Sequence, residues 1–227
     1  NEKAQTQQSV IDWYVQGAIF FDDALTVGRR KQTAEQLGID EATFEQTALS
    51  WFEGERNNLL LANTWLKEQL RYDQLIPFVS NLTNFFERRS YWIDWVSTHE
   101  LALDAARQTT NRTAEGQTLN NLGLVYKAQG RWDDAIQCYE QSLDVYREMG
   151  DRHGEGKTLE NLGDVYFKRL NVVKANDYWD ESLEKLHPDS PEFKRLQQKL
   201  AQLSSPRQAA LGCLPGVGVL LFFIFNL

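Results

Sequence analysis

Apolar residues return every three or four positions through most of residues 9–203, and this spacing predicts an all-helical chain. Upstream helices are predicted at residues 9–25, 41–53 and 55–70. Gly54 is predicted to separate the last two of these helices, and residues 28–38 to form a polar connection. Six further helices joined by short turns are predicted at residues 73–89, 91–108, 113–129, 132–149, 153–169 and 172–186, and a last one at 191–203.

The later helices belong to a repeat with a period of 40 residues. The segment 121–126, Asn-Leu-Gly-Leu-Val-Tyr, recurs at 161–166 as Asn-Leu-Gly-Asp-Val-Tyr, and a weaker copy begins with Asn81-Leu82. Helix pairs repeated at such a period bury their apolar faces by stacking, which predicts a solenoid. The predicted organisation is a divergent helical region 1–72 and a solenoid 73–203, with repeats at 77–112, 113–152 and 153–186 and a capping helix at 191–203.

The pattern of large and small residues within each repeat resembles the tetratricopeptide consensus. The matching residues of the middle repeat are Leu119, Leu122, Gly123, Tyr126, Ala135, Tyr139 and Ser142. The 40-residue spacing resembles the longer variant found in kinesin light chains and Leu-Gly-Asn repeat proteins. The resemblance implies a right-handed α-solenoid that acts as a non-enzymatic scaffold and binds a protein or peptide in its concave groove.

A second resemblance concerns the region upstream of the repeats. Segments 48–59, 92–95 and 100–107, together with 11–18, resemble the part of bacterial NB-ARC signal-transduction ATPases that joins the ATPase core to a tetratricopeptide sensor. This implies an alternative function as the sensor or autoinhibitory arm of such an ATPase. The sequence contains no phosphate-binding loop, so nucleotide hydrolysis is not carried over.

The resemblance also implies where a ligand would bind. In tetratricopeptide proteins, the face of each first helix that points away from its partner lines the groove. The residues predicted there are Asn81, Asn84, Arg88, Gln117, Asn120, Asn121, Leu124, Lys127, Lys157, Asn161, Asp164, Phe167 and Lys168. An asparagine amide both donates and accepts, so it can hold a peptide backbone without reading its sequence. The alternative is that these asparagines only bond the backbone of the neighbouring repeat.

Charge and composition exclude several other functions. The formal net charge of −8 argues against a nucleic-acid partner, because no basic face is present to displace phosphate counterions. The three histidines are scattered over separate predicted helices and connections, and no catalytic set, metal site or cofactor is predicted. His99 stands where the next two repeats carry Tyr139 and Trp179, which predicts a packed histidine and not a ligand or base.

The end of the chain is apolar. Residues 209–227 contain no charged side chain and follow a predicted linker, 204–208. Their length and composition predict a membrane anchor that holds the solenoid on the cytoplasmic face, because basic residues precede it. The alternatives are a segment buried against the capping helix or a truncated end that packs on nothing. Since the chain begins with Asn1 and not Met, the sequence predicts an incomplete or processed N-terminus, and it leaves the oligomeric state open.

Overall fold

The structure, a computed structural model, describes residues 2–203 and consists of α-helices with no strand in that range. The helices are α1 (Glu2–Leu25), α2 (Val27–Leu37), α3 (Glu41–Glu68), α4 (Tyr72–Arg89), α5 (Trp92–Gln108), α6 (Arg112–Ala128), α7 (Trp132–Met149), α8 (Arg152–Lys168), α9 (Val172–Lys185) and α10 (Pro191–Leu203). The predicted all-α class is confirmed. The predicted linker 204–208 and anchor 209–227 lie outside the described residues.

The helices from α4 to α10 begin and end within one residue of their predicted bounds. Upstream the prediction was wrong at Gly54, which lies inside the single long helix α3. Phe52 and Leu59 lie on either side of this glycine and are both buried on the same core, so packing carries the helix across it. A glycine in a helix costs about 1 kcal/mol relative to alanine, which burial of that size outweighs.

The prediction of a polar connection at residues 28–38 was also wrong, because these residues form most of helix α2. Ala34 is the one buried residue that the helix contributes, so there is no apolar stripe from which periodicity could predict it. Charged contacts hold its first turn, where the Arg29 guanidinium lies 2.6 Å from Asp22 and 2.7 Å from Asp23. Gly38 ends the helix in the left-handed conformation, with φ of 68°.

The turns between helices follow a strict half-repeat of 20 residues. Left-handed backbone recurs at Leu70, Ser90, Thr110, Gly130, Gly150 and Leu170. Most of these turns share one capping bond, as where Tyr91 N–H donates to Phe86 O at 2.9 Å and Arg131 N–H to Tyr126 O at 2.9 Å. The half-repeat therefore extends upstream to the end of α3, beyond the region where sequence identity reveals the repeat.

The chain divides into two compact units, Asn1–Gly150 and a second that begins at Asp151. In unit 1, α4 pairs with α5 and α6 with α7, and α1 pairs with α3 although α2 stands between them in sequence. Each of two hairpins is closed by a glycine that faces an aromatic ring, Gly123 against Tyr139 and Gly17 against Trp51. The region 1–72 thus contains a divergent hairpin of the same kind.

Spacing shows how that hairpin diverges. Gly123 precedes Tyr139 by 16 residues, and in unit 2 Gly163 precedes Trp179 by 16, whereas Gly17 precedes Trp51 by 34. The difference of 18 residues corresponds to α2 and its connections. We therefore describe α2 as an insertion between the two helices of the N-terminal hairpin.

In unit 2, α8 pairs with α9, and α10 covers the end of this hairpin. Leu196 of α10 is buried in a cluster with Ala175 and Trp179. Arg195, predicted to face solvent, lies 2.8 Å from Glu160 of α8, and Lys199 pairs with Asp164 one turn further on. The basic side of the capping helix is therefore partly engaged with α8. Among residues 2–203, no helix is both long enough and apolar enough to span a membrane.

Candidate peptide-binding surface

The predicted ligand residues of unit 1 lie on α4 and α6, which contact each other, while α4 also contacts α1. We call the side of α4 and α6 that faces away from α5 and α7 the first-helix surface. Asn81 is half-buried and Gln117 exposed on this surface. Neither side chain forms a hydrogen bond or ion pair among the described residues, so both amides are available to a ligand.

Two predicted ligand residues, Asn84 and Arg88, are instead engaged within the chain. The Asn84 amide donates to Asp22 at 2.9 Å and to the Thr26 hydroxyl at 3.2 Å. The Arg88 guanidinium donates to the Leu25 carbonyl at 3.0 Å and pairs with Glu45. The turn from α1 into α2 therefore covers this end of α4, and these two side chains join the N-terminal hairpin to the first repeat.

The acceptor Asp22 was missed by the sequence reasoning, although an acidic residue within an otherwise apolar helical stretch gave a signal. It is 3% exposed, and desolvation raises its pKa, against the lowering effects of the Asn84 amide and the Arg29 guanidinium. A buried carboxylate needs such donors to remain in the core. Its position explains why a polar residue at 84 serves structure.

On α6 the predicted residues are more enclosed. Asn120, Asn121, Leu124 and Lys127 are half-buried, and Leu124 packs against the core of unit 1. The Asn121 amide lies 3.5 Å from Nε2 of His99 on α5. This contact to the neighbouring hairpin agrees with the structural alternative for Asn121, although its partner is a side chain and not backbone.

In unit 2 the predicted residues lie on α8. Lys157 and Lys168 are exposed, with no hydrogen bond or ion pair among the described residues, and Asn161 is half-buried. Asp164 accepts from the Trp179 indole N–H at 3.2 Å, and the Phe167 ring packs against Trp179 with centroids 5.4 Å apart. The last two residues therefore also support the hairpin.

His99 is packed as predicted, with 1% of its surface exposed. Its Nδ1 lies 2.9 Å from the Trp95 carbonyl, which can only accept, so Nδ1 carries the proton. The Nε2 atom then accepts from the Thr83 hydroxyl, 3.3 Å away, and faces Asn121. Burial lowers the pKa of His99 from 6.5 to about 4, because the charged form would lose its hydration.

This lowered pKa predicts acid destabilisation of unit 1. Because the folded-state pKa lies below the unfolded value, the contribution of His99 to stability is complete above pH 6.5 and is lost as the pH falls towards 4. The loss should reach about 3 kcal/mol, since each unit of pKa difference corresponds to about 1.4 kcal/mol. Urea unfolding measured from pH 7.5 to 4 checks this, with His99→Leu as the matched variant. An equal slope in both proteins would contradict it.

Comparisons with known proteins follow from this geometry. The sequence model of the tetratricopeptide repeat family matches residues 96–148 and 114–186. No curated protein sequence matches the chain significantly. The fold is similar to that in the crystal structure of BtubC (BKLC) from P. vanneervenii, with 16% sequence identity, coverage of 91% of this chain and 94% of that one, and a TM-score of 0.50.

The comparisons confirm the fold class and leave finer assignments open. The similarity to BtubC at 16% identity shows the fold alone. The assignment to the 40-residue variant and the resemblance to NB-ARC ATPases stay predictions. The chain is therefore an all-α protein of the tetratricopeptide solenoid class, whose residues 96–186 carry repeats of a type that serves protein–protein interaction.

Proposed function

We propose that this protein is a non-enzymatic scaffold that binds an extended peptide segment of a partner on its first-helix surface. The observation that supports the proposal is the pair of amides on α4 and α6, Asn81 and Gln117, which have no partner among residues 2–203. An amide can pair with the N–H and the C=O of a peptide backbone at the same time. The tetratricopeptide match supports the partner class, a protein or peptide and not a nucleic acid.

The partner should be captured by a probe placed on this surface. A photo-crosslinking amino acid at Gln117 of α6, in the full chain and in a lysate of the source cells, is expected to attach one defined segment of a partner protein. Gln137 of α7 is the matched control, because it is also an exposed glutamine but lies on the partner helix. Cross-linking at position 137 and not at 117, or at neither position, would sink the proposal.

The captured segment then allows a test of Asn81. Asn81→Ala should weaken binding of the synthetic segment by about tenfold, since a net hydrogen bond contributes about 1 kcal/mol. The melting temperature should stay unchanged, because the side chain has no hydrogen bond to lose within residues 2–203. Ser80→Ala is the control, since the Ser80 hydroxyl is bonded to Ile76 of its own helix. Equal affinities of the two variants would contradict the role of Asn81.

We also propose that residues 209–227 tether the scaffold to the cytoplasmic face of a membrane. Support comes from their uncharged, apolar composition. Replacing Leu220 and Leu221 by arginine in the full chain should abolish flotation with lipid vesicles, because each charge costs about 3 kcal/mol near the bilayer centre. The same double replacement at Val172 and Val173, which are exposed on α9, should leave flotation unchanged. Flotation of both variants would contradict the tether.

A further inference from the structure

One side of the N-terminal hairpin is apolar and faces away from the rest of unit 1. The α1 residues buried against the core share one arc of the helix at 100° per residue; they are Ile11, Val15, Ala18 and Asp22. Trp13 and Phe20 lie on the opposite arc and are 55% and 41% exposed. On α3, the residues turned to the same side are Thr47, Gly54 and Leu61. We call this side the end face, defined by Trp13, Phe20, Thr47, Gly54 and Leu61.

The end face is a stacking surface of the repeat. Aligned on the glycine–aromatic pairs, Trp13 corresponds to Val79 and Leu119, which are 1% and 2% exposed. Phe20 corresponds to Phe86, which is 1% exposed. These counterparts are buried because α4 packs on α3 and α6 packs on α5. In the N-terminal hairpin, the same positions have no covering helix among the described residues.

Charge favours a second copy of the chain at this face. With a net charge of −8, two copies repel each other over most of their surfaces. The end face differs, because its five defining residues are uncharged and the only charged residue from position 5 to 21 is Asp12. Asp12 is held by Arg71 at 2.6 Å, on a different side of the helix. Like charges therefore do not oppose self-association at this face.

Shape favours it as well. Trp13 and Phe20 form a ridge along α1, and beside it lies an open cleft of about 530 Å³ lined by Phe21, Ser50 and Trp51 among others. The one carboxylate in this cleft, Glu55, accepts hydrogen bonds from Tyr14 at 2.9 Å and Asn58 at 2.8 Å. A twofold axis would place the ridge of one copy in the cleft of the other, which is how an isologous interface becomes self-complementary. We propose that the protein dimerises through this end face.

Sedimentation equilibrium of the full chain tests the dimer, which should dissociate on Trp13→Asp. The control is Ile93→Asp on α5, an 83% exposed apolar position away from the end face, which should leave the dimer intact. Leu61→Asp, on the α3 side of the end face, should also give a monomer, and it keeps the test open if the first variant fails to fold. Far-UV circular dichroism should show unchanged helicity in each variant.

Two outcomes would overturn the proposal. The first is a wild-type chain that stays monomeric up to about 100 µM, since an interface weaker than that is not a specific dimer at cellular concentration. The second is a dimer that survives both Trp13→Asp and Leu61→Asp, because it would then form through another surface. Neither outcome bears on peptide binding at Asn81 and Gln117, which lie on other helices.

Discussion

Replacing Gly123 by alanine is expected to destabilise unit 1 by about 3 kcal/mol, the largest single-residue effect that we expect. An alanine Cβ at this position would lie within 3.0 Å of three ring atoms of Tyr139. Tyr139 is 0% exposed, so its ring has no room to retreat. The two helices of the hairpin would have to separate, and α6 and α7 would lose packing along their length.

The other glycine–aromatic pairs predict a graded series. Gly163→Ala should cost unit 2 a similar amount, because three atoms of the fully buried Trp179 lie within 3.0 Å of the new Cβ. Gly17→Ala should cost less, roughly 1 kcal/mol, since only two atoms of Trp51 come that close and this side chain is half-buried and can swing outward.

Gly54→Ala is the matched control for this series. Gly54 is helical and exposed, and a Cβ there would meet nothing within 4 Å. The substitution should therefore stabilise the protein by about 1 kcal/mol through helix propensity alone. Chemical denaturation of the four single variants checks the order. A stabilising Gly123→Ala, or equal effects at Gly123 and Gly54, would show that the close approach of α6 and α7 is not required.

The repeat explains why so much of the fold could be predicted from the sequence. Stacked hairpins need small and large residues at fixed positions, so Gly123 and Tyr139 announce both helices and the turn between them. The left-handed turns at 20-residue intervals then place each helix end. The N-terminal hairpin uses the same closure with Gly17 and Trp51, but the 18-residue insertion hides the pair from any search at a fixed period.

The failures upstream have two physical causes. Gly54 is a helix breaker by local propensity, but the buried residues around it belong to one continuous face, and tertiary packing decided the outcome. Helix α2 lacks an apolar face and depends on ion pairs such as Arg29 with Asp22, which periodicity does not report. Both errors arise where contacts distant in sequence determine local structure.

The candidate site could be predicted only in part. The repeat register placed Asn81, Asn84, Gln117 and Asn121 on corresponding faces, but it could not show what covers them. Asn84 is bonded to the N-terminal hairpin and Asn121 approaches His99, while the amides of Asn81 and Gln117 have no partner among the described residues. Which amides remain available depends on the insertion after α1 and on His99, and neither follows the repeat.

Restoring the consensus pair in the first repeat should show strong coupling between positions 83 and 99. These positions correspond to Gly123 and Tyr139, and the first repeat replaces the glycine–tyrosine pair by Thr83 and His99, whose side chains lie 3.3 Å apart. His99→Tyr alone should cost about 2 kcal/mol, because the ring would meet the Thr83 side chain where the other hairpins have none. Thr83→Gly alone should cost about 1 kcal/mol, since it removes the hydrogen bond to Nε2 and opens a void.

The double variant Thr83→Gly/His99→Tyr should be more stable than the sum of these costs by about 2 kcal/mol, because each change removes the obstacle to the other. Its stability should also no longer fall between pH 6.5 and 4, since the buried imidazole is gone. Urea unfolding of the four proteins at pH 7.5 and pH 4.5 measures both quantities. Additive costs at pH 7.5 would contradict the proposed equivalence of the two pairs. Retained acid sensitivity in the double variant would show that a group other than His99 controls it.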